Sequence, residues 1–259
     1  MTNSLSAATC AIYAVLAIPV LYVLVRHGRY GLLGWLFLFL FCTLRIIGGA
    51  LAINGTSGAA NIISSVGLSP LLLATAGILH EARHYRIQPV DKKMEWVFVL
   101  AYHMLVVAGV ALTAAGSAKL QQHEQPLDKA ERMAKVGIAI LAAAWGGLAG
   151  WTAFSFIVPR GGNSSLARAG TVLLTAIAFS LIFIGIRVFY SLAALCTQRA
   201  SLNPITGSLA VRVVLEFLPE VIATLVYIFA GFRTQSAALL ARDEETVSVP
   251  PKRRAQPWV

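Results

Sequence analysis

The sequence predicts an all-α fold, a polytopic integral membrane bundle of seven transmembrane helices. Three observations carry that expectation. Of the 259 residues, 58% are hydrophobic and only 12% charged, whereas soluble chains are roughly 45–50% apolar and about 25% charged. Apolar runs recur at 7–25, 31–53, 61–82, 95–117, 135–157, 167–190 and 209–231, each close to the roughly 20 residues that cross hydrocarbon. The basic residues, finally, sort to one side of those runs. Residues 1–235 form one transmembrane domain on this reading. Residues 236–259, with their RDEET and PPKRR stretches, form a disordered cytosolic tail whose basic end touches anionic lipid.

The first run has no positive charge before it and ends at Arg26, the reverse of a cleaved signal peptide, so it stays as a span. Placing the N-terminus outside puts thirteen Lys and Arg residues on the cytosolic side and five on the other, with Arg45, Arg187 and Arg212 inside spans. That bias fixes the expected topology as N-out/C-in. The formal charge of +10 is scattered through short loops and the tail. It gives topology signals and no phosphate-binding face, so nucleic acid is not an expected partner. Asn54-Gly55-Thr56 is a glycosylation sequon on the lumenal side of a multi-pass protein of the endoplasmic reticulum, whereas Asn163-Ser164-Ser165 falls on the cytosolic side and stays bare.

Between the charges the runs read as ordinary bundle helices. Cys10, Cys42 and Cys196 lie in or beside apolar runs and match no metal spacing, so they are expected to be buried and inert. In the fifth run, Gly146 and Gly150 have the small-xxx-small spacing that lets helix backbones approach. The loop at 117–134 is polar and solvated, and the loop at 191–208, broken by Pro204 and Gly207, is placed as a lid over the lumenal mouth.

The seventh run is the one that argues for a site. It carries Arg212, Glu216 and Glu220 at i, i+4 and i+8, one stripe of an α-helix. A charge at the bilayer centre costs about 2.5–3.5 kcal/mol on insertion scales, so such groups face a bundle interior and are paired or used. At 1.5 Å rise per residue, Arg45, Arg187, Arg212, Glu216 and Glu220 all fall in the lumenal half, with Tyr190 one turn beyond Arg187. One reading is a structural network in which Arg45 and Arg212 neutralise the two glutamates. The other is catalysis, since a carboxylic acid in a desolvated site stays protonated and can donate to an epoxide oxygen or an alkene. On that reading Glu220, the deeper, is the acid and Glu216 its ionised partner. Arg45, Arg187, Arg212 and Tyr190 hold substrate. Trp35, Trp145, Trp151, Phe217, Tyr190 and Tyr227 supply ring faces for a carbocation, or simply pack, as His103 does.

His80-Glu81-Ala82-Arg83-His84 is a literal H-E-x-x-H, the spacing that sets two imidazoles on one helix face for zinc. Its surroundings are basic, and Glu220 lies roughly 12–14 Å away along the membrane normal. An intramembrane zinc metalloprotease is therefore the weaker alternative, and no metal is expected.

Further segments carry a resemblance across nearly the whole chain: RHG at 26–28, RIIGG at 45–49, SVGLSPLLLATAGIL at 65–79, RVFYS at 187–191 and NPITGSLAVRVVLEFLPE at 203–220. The chain resembles a fungal family of small seven-helix membrane proteins, many of which carry only a domain of unknown function. It is also similar to the membrane-bound terpene cyclases of meroterpenoid biosynthesis, the ascofuranone and macrophorin type. That resemblance implies an enzyme of fungal secondary metabolism that cyclises the farnesyl chain of a prenylated aromatic compound, beside the other enzymes of its pathway. It supplies no residue-level motif. The aspartate-rich motifs of diphosphate-ionising synthases do not occur, and no cofactor is expected, because proton donation and return restore the acid. The alternatives are a receptor-like or transporter-like seven-helix protein without catalytic activity.

Overall fold

The computed structural model describes residues 2–54, 63, 66–87, 92–122, 126–162, 164–197, 200–202 and 207–248. Among them there is no strand. Helix is continuous from Thr2 to Ile53 except at Gly28, whose φ of 61° and ψ of −147° lie where only glycine is unstrained. The break makes two antiparallel arms, α1 (Ser4–Arg29) and α2 (Gly31–Ile53). Far along the hairpin, a Cβ at Gly49 would fall 2.8 Å from the carbonyl of Ser6.

Five more helices follow: α3 (Leu68–Arg86), α4 (Lys92–Gln121), α5 (Leu127–Ile157) and α6 (Ser165–Thr197), then α7. The last is composite, an α turn Leu209–Arg212, a π segment Val213–Phe217 and a long α-helix Leu218–Ser248. Among the described residues six helices, all but α3, are long and apolar enough to cross a membrane.

Packing explains the exception. Helices α4, α5, α6, α7 and the α1–α2 hairpin follow one another around α3, and Phe37 of α2 meets His103 of α4 with ring centroids 5.4 Å apart. Sixteen of the nineteen residues of α3 are buried, so it has no lipid-facing side and carries Ser69, Thr75 and Glu81 that lipid would reject. The outer helices show the opposite pattern: Ile18 is 71% exposed and Ile157 79%, the apolar outside of a membrane bundle.

Lipid tails are as apolar as leucine, so helices associate here through close packing at small residues. Those residues differ from the expected ones. Gly146 and Gly150 face outward, and a Cβ added at either would meet nothing within 4 Å. Contact is made instead where Gly34 of α2 meets Gly77 of α3, a Cβ on Gly77 falling 2.5 Å from the Gly34 Cα. Gly116 and Gly137 do the same between α4 and α5, and Gly170 between α6 and α3. The W-G-G-L-A-G-W stretch has glycine spacing without a partner helix on that face.

Boundaries move as well. Helix α3 starts at Leu68 where the apolar run begins at 61, α6 runs to Thr197 past the expected loop start, and α7 continues to Ser248, beyond the expected tail start at 236. Residues 249–259, Asn163, Arg199, Asn203–Thr206 and the Gly55-Thr56 half of the first sequon lie outside the described residues. Asn54 itself is exposed in the turn that ends α2. Cys42 is buried and Cys10 half-buried, but Cys196 is exposed, because it falls on the outer face near the end of α6.

Candidate functional site

Four of the five expected intramembrane charges meet in one place. The Arg45 guanidinium on α2 bonds Oε1 of Glu220 through Nη2. Arg187 on α6 reaches the same Oε1 through Nε at 2.9 Å, and Oε1 of Glu216 through Nη2, also at 2.9 Å. Arg45 Nη1 lies 3.9 Å from that second carboxylate. Three helices thus contribute two cations and two anions. The cluster is neutral in total, which is what a low-dielectric interior demands of buried charge. Glu220 is 2% exposed, Arg187 3% and Arg45 7%; the Glu216 side chain, at 12%, is the most accessible of the four.

Local sequence explains the positions. Pro219 cannot donate an N–H, and its ring would clash with the carbonyl four residues back in an α-helix. The chain widens to a π turn just before it, closed by the Leu218 N–H on the Val213 carbonyl. The extra residue of the π turn shifts the register between Arg212 and the helix that follows Pro219. Arg212 ends the short α turn ahead of the π segment, half-buried. Arg187 lies between the two carboxylates and bonds both. Its Nη1 also bonds Ser191 Oγ. Gly67 leaves room for Arg45: a Cβ there would lie 2.9 Å from the guanidinium carbon.

Aromatic rings surround the charges. Arg45 sits over Phe41, 5.5 Å from the ring centroid, and Arg187 beside Tyr190 at 5.8 Å. Tyr13, which nothing in the sequence pattern singles out, packs edge-on to Phe41 at 5.4 Å and to Phe217 at 6.4 Å. Its only signal is its place two turns into the first span. Beyond Tyr190 lies a groove of about 630 Å³ lined by Trp145, Ile182, Ile186, Phe189, Leu202 and Leu215. Trp145 is fixed there by a 2.9 Å bond to the Leu181 carbonyl and by Gly185, whose missing Cβ clears the indole. Tyr190 divides groove from charges, its hydroxyl donating to the Leu202 carbonyl at 3.1 Å.

The other expected aromatics scatter. Tyr227 bonds Thr75 at 2.8 Å in the core, and Trp151 lies under Arg83 at the opposite end of the bundle. His103 bonds the Val99 carbonyl of its own helix at 2.7 Å.

The H-E-x-x-H motif is taken apart by its neighbours. Glu81 is fully buried, accepting from Trp35 Nε1 at 2.9 Å and Tyr85 at 2.9 Å, with His27 Nδ1 at 2.5 Å. His80 instead faces Glu95 at 3.2 Å, where Arg83 Nε also bonds at 2.5 Å, and His84 lies beside the Tyr85 ring. Among the described residues no three His, Cys, Asp or Glu side chains converge to hold a metal ion. The histidines share a helix face in sequence, but α3 is packed among other helices, so Glu81 is drawn to His27 and Trp35 and His80 to Glu95.

A family model described as a domain of unknown function, DUF7702, matches residues 1–237, and the chain belongs to that family. No curated protein and no solved structure matches it.

Proposed function

We propose that this member of the DUF7702 family is a seven-span, N-out/C-in enzyme of the endoplasmic reticulum membrane that cyclises the prenyl chain of a lipophilic aromatic substrate. The observation that carries the reading is the neutral cluster of Arg45, Arg187, Glu216 and Glu220 inside an apolar bundle, one side chain away from an aromatic groove. The groove suits an apolar chain arriving sideways from the bilayer, and its volume of about 630 Å³ is within the roughly 300–1,000 Å³ of ligand pockets.

Chemically, one of the two carboxyls, taking up a proton before turnover, gives it to the terminal epoxide oxygen or alkene of the chain. The epoxide C–O bond breaks, or the alkene π bond is used, and a carbocation forms. Ring closure moves the cation along the chain, and loss of a C–H proton to the carboxylate ends the sequence with an isomer of unchanged mass. Arg45 and Arg187 stand ready to hold the carboxylate left after donation, and the Phe41, Phe217 and Tyr13 rings are placed to face a cation. Both guanidinium groups close on Glu220, so Glu216 is the more reachable of the two carboxyls.

The same closure favours a second reading, a receptor-like or transporter-like protein in which the cluster only holds helices together. Microsomes carrying the protein, fed a farnesylated phenol and its terminal epoxide, separate the two. Cyclic product from wild type, absent in Glu216→Gln or Glu220→Gln proteins that remain folded in the membrane, supports the enzyme. Conversion of neither substrate, with both variants failing to fold, moves the assignment to the non-catalytic reading.

A further inference from the structure

Two polar atoms of the charge cluster end without a partner. The Tyr13 hydroxyl is buried on a residue 0% exposed, and Arg45 Nε is buried on one 7% exposed; neither makes a hydrogen bond among the described residues. Buried hydroxyls and guanidinium N–H groups are nearly always satisfied, and an orphan marks a missing partner. The two orphans belong to one neighbourhood. Phe41 packs against both the Tyr13 ring and the Arg45 guanidinium.

The donor inventory narrows what would satisfy them. Arg45 Nε can only donate, and a tyrosine hydroxyl can donate one hydrogen bond. An oxygen with free lone pairs answers both, whereas an alkene carbon answers neither. We propose that Tyr13 and Arg45 form a subsite for a neutral oxygen on the buried end of the substrate chain, so that the site takes an epoxide or alcohol in preference to the bare alkene. This rests on the cyclase reading and makes it more specific. The bound oxygen accepts from Tyr13 and Arg45; the proton from Glu220 or Glu216 then displaces one of these donors from its lone pair, and opening of the C–O bond turns that oxygen into a hydroxyl with lone pairs for both. Tyr13 acts here as a binding residue.

The test compares binding of a farnesylated phenol with binding of its terminal epoxide to purified protein in detergent, for wild type and Tyr13→Phe, with melting temperatures alongside. The subsite predicts that wild type prefers the epoxide about tenfold or more, and that Tyr13→Phe erases the preference. It also predicts an unchanged or higher melting temperature, because the variant removes a hydroxyl that has no partner in the free protein. Equal binding of the two ligands by wild type overturns it, as does a preference that survives in Tyr13→Phe. A clear drop in melting temperature also overturns it, since the hydroxyl would then be bonded structurally. An epoxide preference with no turnover leaves the subsite and removes the cyclase; turnover with no role for Tyr13 does the reverse.

Discussion

His27 and Glu81 share a single proton. Nε2 of His27 lies 3.0 Å from the carbonyl of Gly231, which can only accept, so that nitrogen carries a hydrogen. Nδ1 is 2.5 Å from Oε1 of Glu81, and one proton between them leaves the pair either imidazolium and carboxylate or imidazole and carboxylic acid. Both forms are neutral in total, which makes the pair tolerable at 2% and 0% exposure. The pair ties the residue before the Gly28 break to α3 and α7. Gly31 leaves space for it, since a Cβ there would sit 2.6 Å from the His27 Cβ.

Replacing Glu81 with Ala therefore takes the acceptor from two buried donors, His27 Nδ1 and Trp35 Nε1. An unsatisfied buried group costs about 1–3 kcal/mol, so the expected loss is about 2 kcal/mol or more. His27→Ala should cost about as much as one such group, and the double variant less than the sum of the two. Thermal melting in detergent reads all three. Chelators should leave the wild-type curve in place; a zinc-dependent melt would return H-E-x-x-H to metal binding.

Arg187 bonds both Glu216 and Glu220, so its removal takes a hydrogen-bonded cation from each carboxylate. Removing one partner of a buried ion pair costs about 3–5 kcal/mol in soluble proteins. Arg187→Met should fall at the low end, because polar contacts in membrane bundles are weaker than that. Glu216→Gln added to Arg187→Met should recover part of the loss, with a coupling of about 0.5–3 kcal/mol in a double-mutant cycle. Simple additivity would show that the two side chains do not interact.

Glycine substitution separates real contacts from spacing. Gly77→Ala pushes a methyl group into the backbone of Gly34, with 2.5 Å between the added carbon and the Gly34 Cα, and should cost about 1–3 kcal/mol or more. Gly146→Ala meets nothing within 4 Å and should be neutral, or stabilising by up to about 1 kcal/mol through helix propensity. Equal damage at both sites would mean that the outer face of α5 has a partner.

Asn54 is exposed in the turn that ends α2, and the proposed orientation puts that turn in the lumen. Translation into microsomes should then give one endoglycosidase-sensitive band shift, lost in Asn54→Gln. A tag at the C-terminus should be digested by protease added outside the vesicles. Protection of that tag would invert the topology.

The segment Arg212–Glu220 shows how far sequence alone reaches. Its charges in an apolar run stand out in the sequence, and Arg45 and Arg187 stand out with them through the cost of an intramembrane charge, which depends only on composition and depth. Their pairing was not legible. The π turn ahead of Pro219 changes the register by one residue, and whether Arg187 or Arg212 bridges the carboxylates depends on how α6 leans on α7.

By itself the sequence determined that this chain is helical with runs long and apolar enough to cross a membrane, where those runs fall, and which buried charges must find partners. Hydrocarbon imposes those requirements residue by residue, through length, hydropathy and the cost of a desolvated charge. Only the tertiary structure decided that α3 is the central helix, that Gly34 and Gly77 rather than Gly146 and Gly150 bring backbones together, that Glu81 serves His27, and that Tyr13 joins the charges. Each of these depends on which face of one helix meets which face of another, and periodicity within a helix carries no information about its partner.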